Sequence, residues 1–390
     1  MIFKFRDYKI RFFNLRILLY VAILCFFGVQ FVGSAAAATA DPSATMNKQI
    51  IGIALGVILM MVVALIDYHF LLRFALPIWI IVILILLVVR FFGATYNNAT
   101  RWIELLGGRI SIQPSEICKI LLILVFAALF SRAVTEERIS RFPTIVQGVI
   151  TMAIPVGLIM LQPDLSTSLV IVTTFAIMYF AAGLNYKIVG GVLAALGAGI
   201  AGVIFYAVKI ADPATVSNYQ IKRIMAWLDP SAFPDIVYQQ TNSIMAIGNG
   251  GLNGMGLFNT TLESVKNGNY LSEQDTDFIF AVVGEEVGFV GSCAIIILIV
   301  LLILECLYLA YKAKDMGGRL ICTGYAGILM FQSFFNIGVA TGLLPNTGLP
   351  LPFLSAGLSS IVSLFIGLGL VLNVGMQREI SRSSSGSYEP

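Results

Sequence analysis

Apolar residues fall along this chain in long stretches separated by short polar ones. We count ten such blocks, with approximate cores at 16–36, 48–67, 72–92, 117–131, 143–161, 165–183, 188–210, 279–310, 319–340 and 358–376. A helix needs roughly 20 residues to cross the hydrocarbon core of a bilayer. Membrane strands would instead alternate over about ten residues, and no such alternation is seen. Backbone polar groups in lipid must pair within the chain, which leaves helices. The pattern predicts an all-α, polytopic membrane domain over 1–380 with about ten transmembrane helices. Two connections are long, roughly 93–116 and roughly 211–278. The end of the chain, 381–390, is polar and Ser-rich and is expected to be a disordered tail.

Composition agrees. The 390 residues are 58% apolar and 12% charged, against roughly 25% charged in an average soluble domain. Mean hydropathy is +0.91. An ordinary cytosolic enzyme, a disordered chain and a fibrous one are excluded, and a net charge of +3 gives no sign of nucleic-acid binding. Basic residues crowd one set of loops, with Lys4, Arg6, Lys9, Arg11, Arg73, Arg132, Arg138, Arg141, Lys187, Lys312, Lys314, Arg319, Arg378 and Arg382 among them. The positive-inside rule makes that side cytoplasmic. Both termini are then expected inside, and the large loop of about 211–278, between helices 7 and 8, outside. Residues 1–40 resemble a signal peptide in their basic start and AAAATA run. Their apolar stretch from Ile17 to Val32 is longer than an ordinary signal core, so the first helix is expected to be retained.

The five cysteines are scattered through apolar blocks and form no CxxC, which argues for small buried hydrophobes over disulfides or metal sites. The single histidine, His69, reads as a loop residue.

Charge is expensive inside a membrane helix, so the charges that interrupt apolar blocks are the candidates for function. They form four clusters. In QPSEICK (Gln113–Lys119), Pro114 suits a helix start, and Glu116 and Lys119 share a face and can pair. In LQPDLSTS (Leu161–Ser168), Asp164 sits in a polar turn, as a helix cap or as the lining of a cavity. In LSEQDTDFIFAVVGEEVG (Leu271–Gly288), Glu273, Asp275 and Asp277 crowd a helix start that Thr276 can cap. Glu285 and Glu286 follow, and at most one of them easily shares a cavity with Asp277. In LLPNTGLPLPFLSAGLSS (Leu343–Ser360), prolines and glycines predict a re-entrant segment lining a cavity, with Ser355 expected to contact substrate. The loop 211–278 is Gly-rich and amphipathic and is expected to lie on the outer surface as short helices. It also holds Arg223, and it lacks a Walker motif.

These clusters, in this order, resemble the SEDS family (shape, elongation, division and sporulation), the RodA/FtsW/SpoVE proteins. The resemblance rests on RWIELLGGRISIQPSEICK, LQPDLSTSL, YQIKRIMAWLDP with YQQTNSIMAIGNGGLNGMG, TDFIFAVVGEEVGFVG and FFNIGVATGLLPNTGLPLPFLSAGLSS. It implies a peptidoglycan glycosyltransferase that polymerises lipid II at the outer face of the cytoplasmic membrane and works with a class B penicillin-binding protein. It places the essential acid on Asp277, a functional tryptophan on Trp102, and cavity residues on Glu116, Lys119 and Asp164. The chain departs from the family pattern at Met255, Asp275, Ala356, Leu358 and Ser166.

The implied reaction needs a base for the attacking sugar hydroxyl and positive charge for the diphosphate leaving group. Asp277 is the expected base. Arg101, Arg109, Lys119, Arg223 or a divalent cation (Mg2+ or Mn2+) would meet the diphosphate. A lipid II flippase and a non-catalytic scaffold for the penicillin-binding protein are the alternative readings. A flippase would put its key acids near the midplane, whereas the densest acid cluster here falls at the outer surface.

Overall fold

The computed structural model describes residues 12–37, 42–96, 99–105, 110–209, 219–259, 261, 264–268, 270–271 and 273–377. The terminal basic residues Lys4, Arg6, Lys9, Arg11, Arg378 and Arg382, the tail 381–390, Arg109, Asp212 and Glu263 lie outside them.

Helices begin where the sequence supplies a cap or an N-terminal proline. α1 (Leu15–Ala36) starts at Asn14, whose side chain accepts from the N–H groups of Arg16 and Ile17. It is followed by α2 (Pro42–Ala64), short α3 (Tyr68–Arg73) and α4 (Ala75–Phe92). The segment read as a long loop after α4 folds instead as an antiparallel meander of β1 (Ala94–Tyr96), β2 (Ala99–Leu105) and β3 (Ile110–Ile112). Its strands are too short for their two-residue period to stand out beside apolar blocks. Next come α5 (Pro114–Thr135), α6 (Phe142–Met160), α7 (Leu165–Ala181), α8 (Tyr186–Lys209), α9 (Tyr219–Leu228) and α10 (Pro234–Asn249). α11 (Ile279–Lys312), α12 (Met316–Ala340) and α13 (Leu358–Met376) complete the order. Among the described residues, eight helices are long and apolar enough to cross a membrane: α1, α2, α4, α5, α6, α11, α12 and α13. α7 is apolar with 17 residues, and α8 has 24.

Burial sorts the helices. Within their apolar windows α13 is 89% buried and α5 and α12 are 67% buried, whereas α4 is 17% buried. The first three are therefore the centre, and α4 presents Leu76, Ile81, Leu84 and Phe92 outward, as a lipid-facing helix must. α5 and α7 interlock through Phe126, Phe130, Phe175 and Tyr179. α12 closes on both at Gly324, where a Cβ would come within 2.6 Å of Met178 Sδ.

One end of the bundle gathers both ends of the described chain. Asn14 donates to Glu305 at 2.7 Å, and Gln377 donates to Asp67 at 3.3 Å. His69 is more than a loop residue. Its Nδ1 lies 2.8 Å from Asp67 Oδ1 and its Nε2 lies 2.7 Å from Asp315 Oδ2. That bridge ties the α2–α3 corner to the cap of α12. The opposite end carries the meander, α9, α10, the acid turn and the segment 341–357.

The Gly-rich run after α10 docks on the start of α11. Met255 N–H donates to the Glu285 carbonyl at 2.8 Å and Gly256 N–H to the Glu286 carbonyl at 2.9 Å. α11 answers with a break at Gly288 (φ 64°, ψ −165°), which turns Phe289 N–H toward the Gly251 carbonyl at 2.9 Å. A Cβ at Gly254 would fall 2.1 Å from the Glu286 carbonyl, so only glycine permits this approach.

Candidate functional site

The site is built around residues 273–278, the turn that precedes α11. Thr276 does not cap the helix. Its hydroxyl donates to Glu273 Oε2 at 3.1 Å, and α11 begins after Phe278 without a side-chain cap. The turn is held from below by the non-helical segment 341–357, the re-entrant element expected from its prolines and glycines. Ser355 Oγ donates to the Thr276 carbonyl at 2.6 Å and accepts Leu351 N–H at 2.8 Å. Ala356 N–H donates to the Asp275 carbonyl at 2.8 Å. Ser355, expected to touch substrate, is thus buried and committed to the backbone of this joint.

Asp277 is partly exposed at the mouth of this cleft. Its Oδ2 lies against Gly348: a Cβ built there would stand 2.9 Å from it, and Gly348 also has φ +70°. Partial burial of the carboxyl disfavours its charged form and raises its pKa. Glu273 and Asp275 raise it further, Arg223 and Arg101 pull it down, and the balance is about 7. The acid is therefore poised near neutrality, where a general base works best.

The two arginines arrive from opposite sides. Arg223, on α9, donates to the Asn346 carbonyl at 3.0 Å. The same segment receives Trp227 at the Gly342 carbonyl (3.0 Å) and Gln240 at the Leu344 carbonyl (2.7 Å). α9 and α10 are the short helices expected in the long loop, and they are pinned to the segment 341–357. Arg101, on β2, donates to the carbonyls of Gln162 and Pro163. Its Nη1 lies 4.0 Å from Asp164 Oδ1. Asp164 also caps α7, accepting from Thr167 N–H at 3.1 Å and from Gln113 Nε2 at 3.1 Å. Of the two readings of Asp164, the structure shows the helix cap. Ser166 Oγ donates to the Thr347 carbonyl, joining this corner to the Asp277 cleft.

Trp102 follows Arg101 on β2 and projects from the other face of the strand. It is partly exposed, so the neighbours do not make one contact. Glu116 and Lys119 pair as their spacing predicts, at 2.8 Å, and both are buried on α5. Glu116 Oε2 and Ser115 Oγ are buried with no protein partner.

Glu285 and Glu286 do not join Asp277. Glu285 accepts from the N–H groups of Val265 and Lys266 (2.7 and 3.2 Å). Glu286 accepts from Phe258 N–H at 3.1 Å and from Lys266 Nζ at 2.6 Å. Lys266, which falls within the long loop 211–278, is buried and also reaches Ser34 on α1 at 2.7 Å. These residues strap the outer loop to the bundle. Sequence reasoning passed over Asn336, whose amide bonds the Asp277 carbonyl at 2.8 Å. The signal was a buried amide inside the apolar block of α12, one turn after Gln332.

A divalent cation fits this site only as one carried with substrate. No group of three His, Cys, Asp or Glu among the described residues could cage it. Asp277, in the turn it shares with Glu273 and Asp275, would be the carboxylate that holds Mg2+ alongside water and phosphate oxygens.

The family model described as "Cell cycle protein" (FtsW, RodA, SpoVE) matches residues 15–380. The chain is 34% identical over 340 residues to the peptidoglycan glycosyltransferase MrdB of Escherichia coli K12, covering 87% of this chain and 88% of that one. It is 35% identical over 382 residues to a probable peptidoglycan glycosyltransferase FtsW of Geobacter metallireducens, covering 95% and 97%. Among solved structures, a chain of a peptidoglycan synthase complex that coordinates polymerization and crosslinking superposes with a TM-score of 0.76. It is 29% identical and the match covers 93% of this chain and 97% of that one. The rod-shape-determining protein RodA of Thermus thermophilus superposes at 0.68 with 28% identity, covering 94% and 97%.

Proposed function

The chain belongs to the FtsW/RodA/SpoVE family of multi-pass membrane proteins, and on that premise we propose that it is a peptidoglycan glycosyltransferase that polymerises lipid II at the outer face of the cytoplasmic membrane, with Asp277 as its general base. The observation that carries the assignment of the base is the cleft itself. Of the three acids in this turn, Asp277 has its pKa raised to about 7, with Glu273 and Asp275 pushing it up and Arg223 and Arg101 pulling it down.

Asp277 takes the proton from the acceptor sugar hydroxyl as its oxygen bonds the anomeric carbon of the donor. The bond from that carbon to the lipid diphosphate breaks, and the diphosphate leaves with the electron pair. A single in-line displacement inverts the anomeric centre and needs only one carboxylate, here Asp277. Arg223 and Arg101 meet the charge that develops on the leaving group, and preorganised cations are effective in such a role. A divalent cation, when bound, would add Lewis-acid stabilisation of the diphosphate. Glu116 and Lys119 keep the buried face of α5 polar beneath the cleft, and Trp102 offers an aromatic face to substrate at the interface. The crosslinking partner is a class B penicillin-binding protein.

The test is to incubate the purified chain with lipid II and its partner's crosslinking activity blocked. Glycan polymer is the expected product. Translocation of lipid II without polymer would contradict the assignment and indicate a transporter.

A further inference from the structure

Asn336 on α12 is 2% exposed. Its Nδ2 donates to two main-chain carbonyls, that of Asp277 at 2.8 Å and that of Leu349 at 2.7 Å. Both partners are acceptors, so the amide orientation is fixed by chemistry. The Asp277 carbonyl is open to this bond because Ala281 N–H goes to the Phe278 carbonyl at 2.9 Å, one residue late for an α-helical partner. Leu349 follows Gly348, the residue that forms the wall against Asp277 Oδ2.

We propose that Asn336 is a positioning residue for the glycosyl transfer: one buried carboxamide fastens the backbone of the acid and the wall it faces to the same rigid helix. Ser355 and the Ala356 N–H hold residues 276 and 275; Asn336 holds residue 277 itself. Residue type follows from the geometry. Two acceptors require two donors on one short side chain. Asparagine supplies them, ionised aspartate supplies none, and serine supplies one. The remaining Oδ1 is buried without a protein partner, so this position accepts an unsatisfied acceptor to keep both donors engaged. A pair of neutral hydrogen bonds at this joint does more for geometry than for stability, because the bonds replace ones that water makes to the same groups in the unfolded chain.

This inference rests on Asp277 as the base. The experiment compares full-length wild type, Asp277→Asn, Asn336→Asp, Asn336→Ser and Asn336→Ala in lipid II polymerisation, with thermal unfolding of each. Asn336→Asp is near-isosteric and is expected to lose on the order of 100-fold in kcat, the loss that follows a misplacement of about 1 Å. KM is expected to stay within about threefold, and Asn336→Ser to fall between Asp and wild type. In Asn336→Ala the freed turn admits water to Asp277, so the acid limb of the pH–rate profile moves to lower pH. Folded Asn336 variants with wild-type kcat and an unmoved acid limb would overturn the proposal. A loss of activity that only tracks loss of folded protein, or a rise in KM alone, would overturn it as well. Polymerisation by Asp277→Asn would instead remove the base assignment, an outcome separable from the others.

Discussion

Asp277 Oδ2 lies 2.9 Å from the point where a Cβ on Gly348 would sit, so the acid and a glycine of positive φ share one contact. Gly348→Ala meets both the carboxylate and a left-handed backbone. Residues forced into sparsely populated backbone regions cost of order 1–3 kcal/mol. We expect folded protein with slightly lowered Tm and a loss of about 10–100-fold in polymerisation, measured on material matched for monodispersity.

The neighbours of Asp277 set its ionisation, and their signs can be read out. Activity should rise with pH through about 7, as the base loses its proton. Arg223 lowers the Asp277 pKa, so Arg223→Gln should move this limb to higher pH. Glu273 raises it, so Glu273→Gln should move the limb to lower pH. Rate profiles from pH 5 to 9 check both directions, and shifts of the same sign would contradict the arrangement.

Lys266 and Glu286 form a buried pair that staples the outer loop to α1 and α11. Breaking a buried pair by removing one partner typically costs about 3–5 kcal/mol, because the other charge stays behind, while an apolar replacement of both can be nearly neutral. Lys266→Met and Glu286→Leu should each lower thermal stability strongly, and the double variant should recover most of the loss. A double-mutant cycle on Tm measures this.

At the other end of the bundle, Asp315 and Asp67 raise the pKa of His69, outweighing a burial effect of opposite sign. A histidine raised in the folded state contributes stability that is complete below its unfolded pKa of about 6.5 and is lost as pH rises through the folded value. Wild-type Tm should therefore fall between pH 6 and pH 9 more steeply than that of His69→Gln.

Much of this was legible in the sequence because charge is scarce in it. Apolar length gave the spanning helices, the i, i+3 spacing gave Glu116–Lys119, and the prolines of 343–357 gave the re-entrant segment. The meander 94–112 was not legible, because two of its three strands have only three residues and carry no usable periodicity. The fates of Glu285, Glu286 and Lys266 were hidden for another reason. An acid in an apolar block reads as functional, and its partner, 20 residues away in a Gly-rich loop, is found only when the chain folds back. Ser355 and Asn336 show the same limit from two sides. A hydroxyl in a family motif turned out to hold backbone, and an unremarked amide turned out to hold the acid.

The measurement that tests the central claim most directly is lipid II polymerisation by purified wild type and Asp277→Asn, with folding of both verified by thermal unfolding and the divalent cation varied. The account predicts polymer from wild type and none from the folded variant at any cation concentration. Wild-type polymer from Asp277→Asn would contradict it.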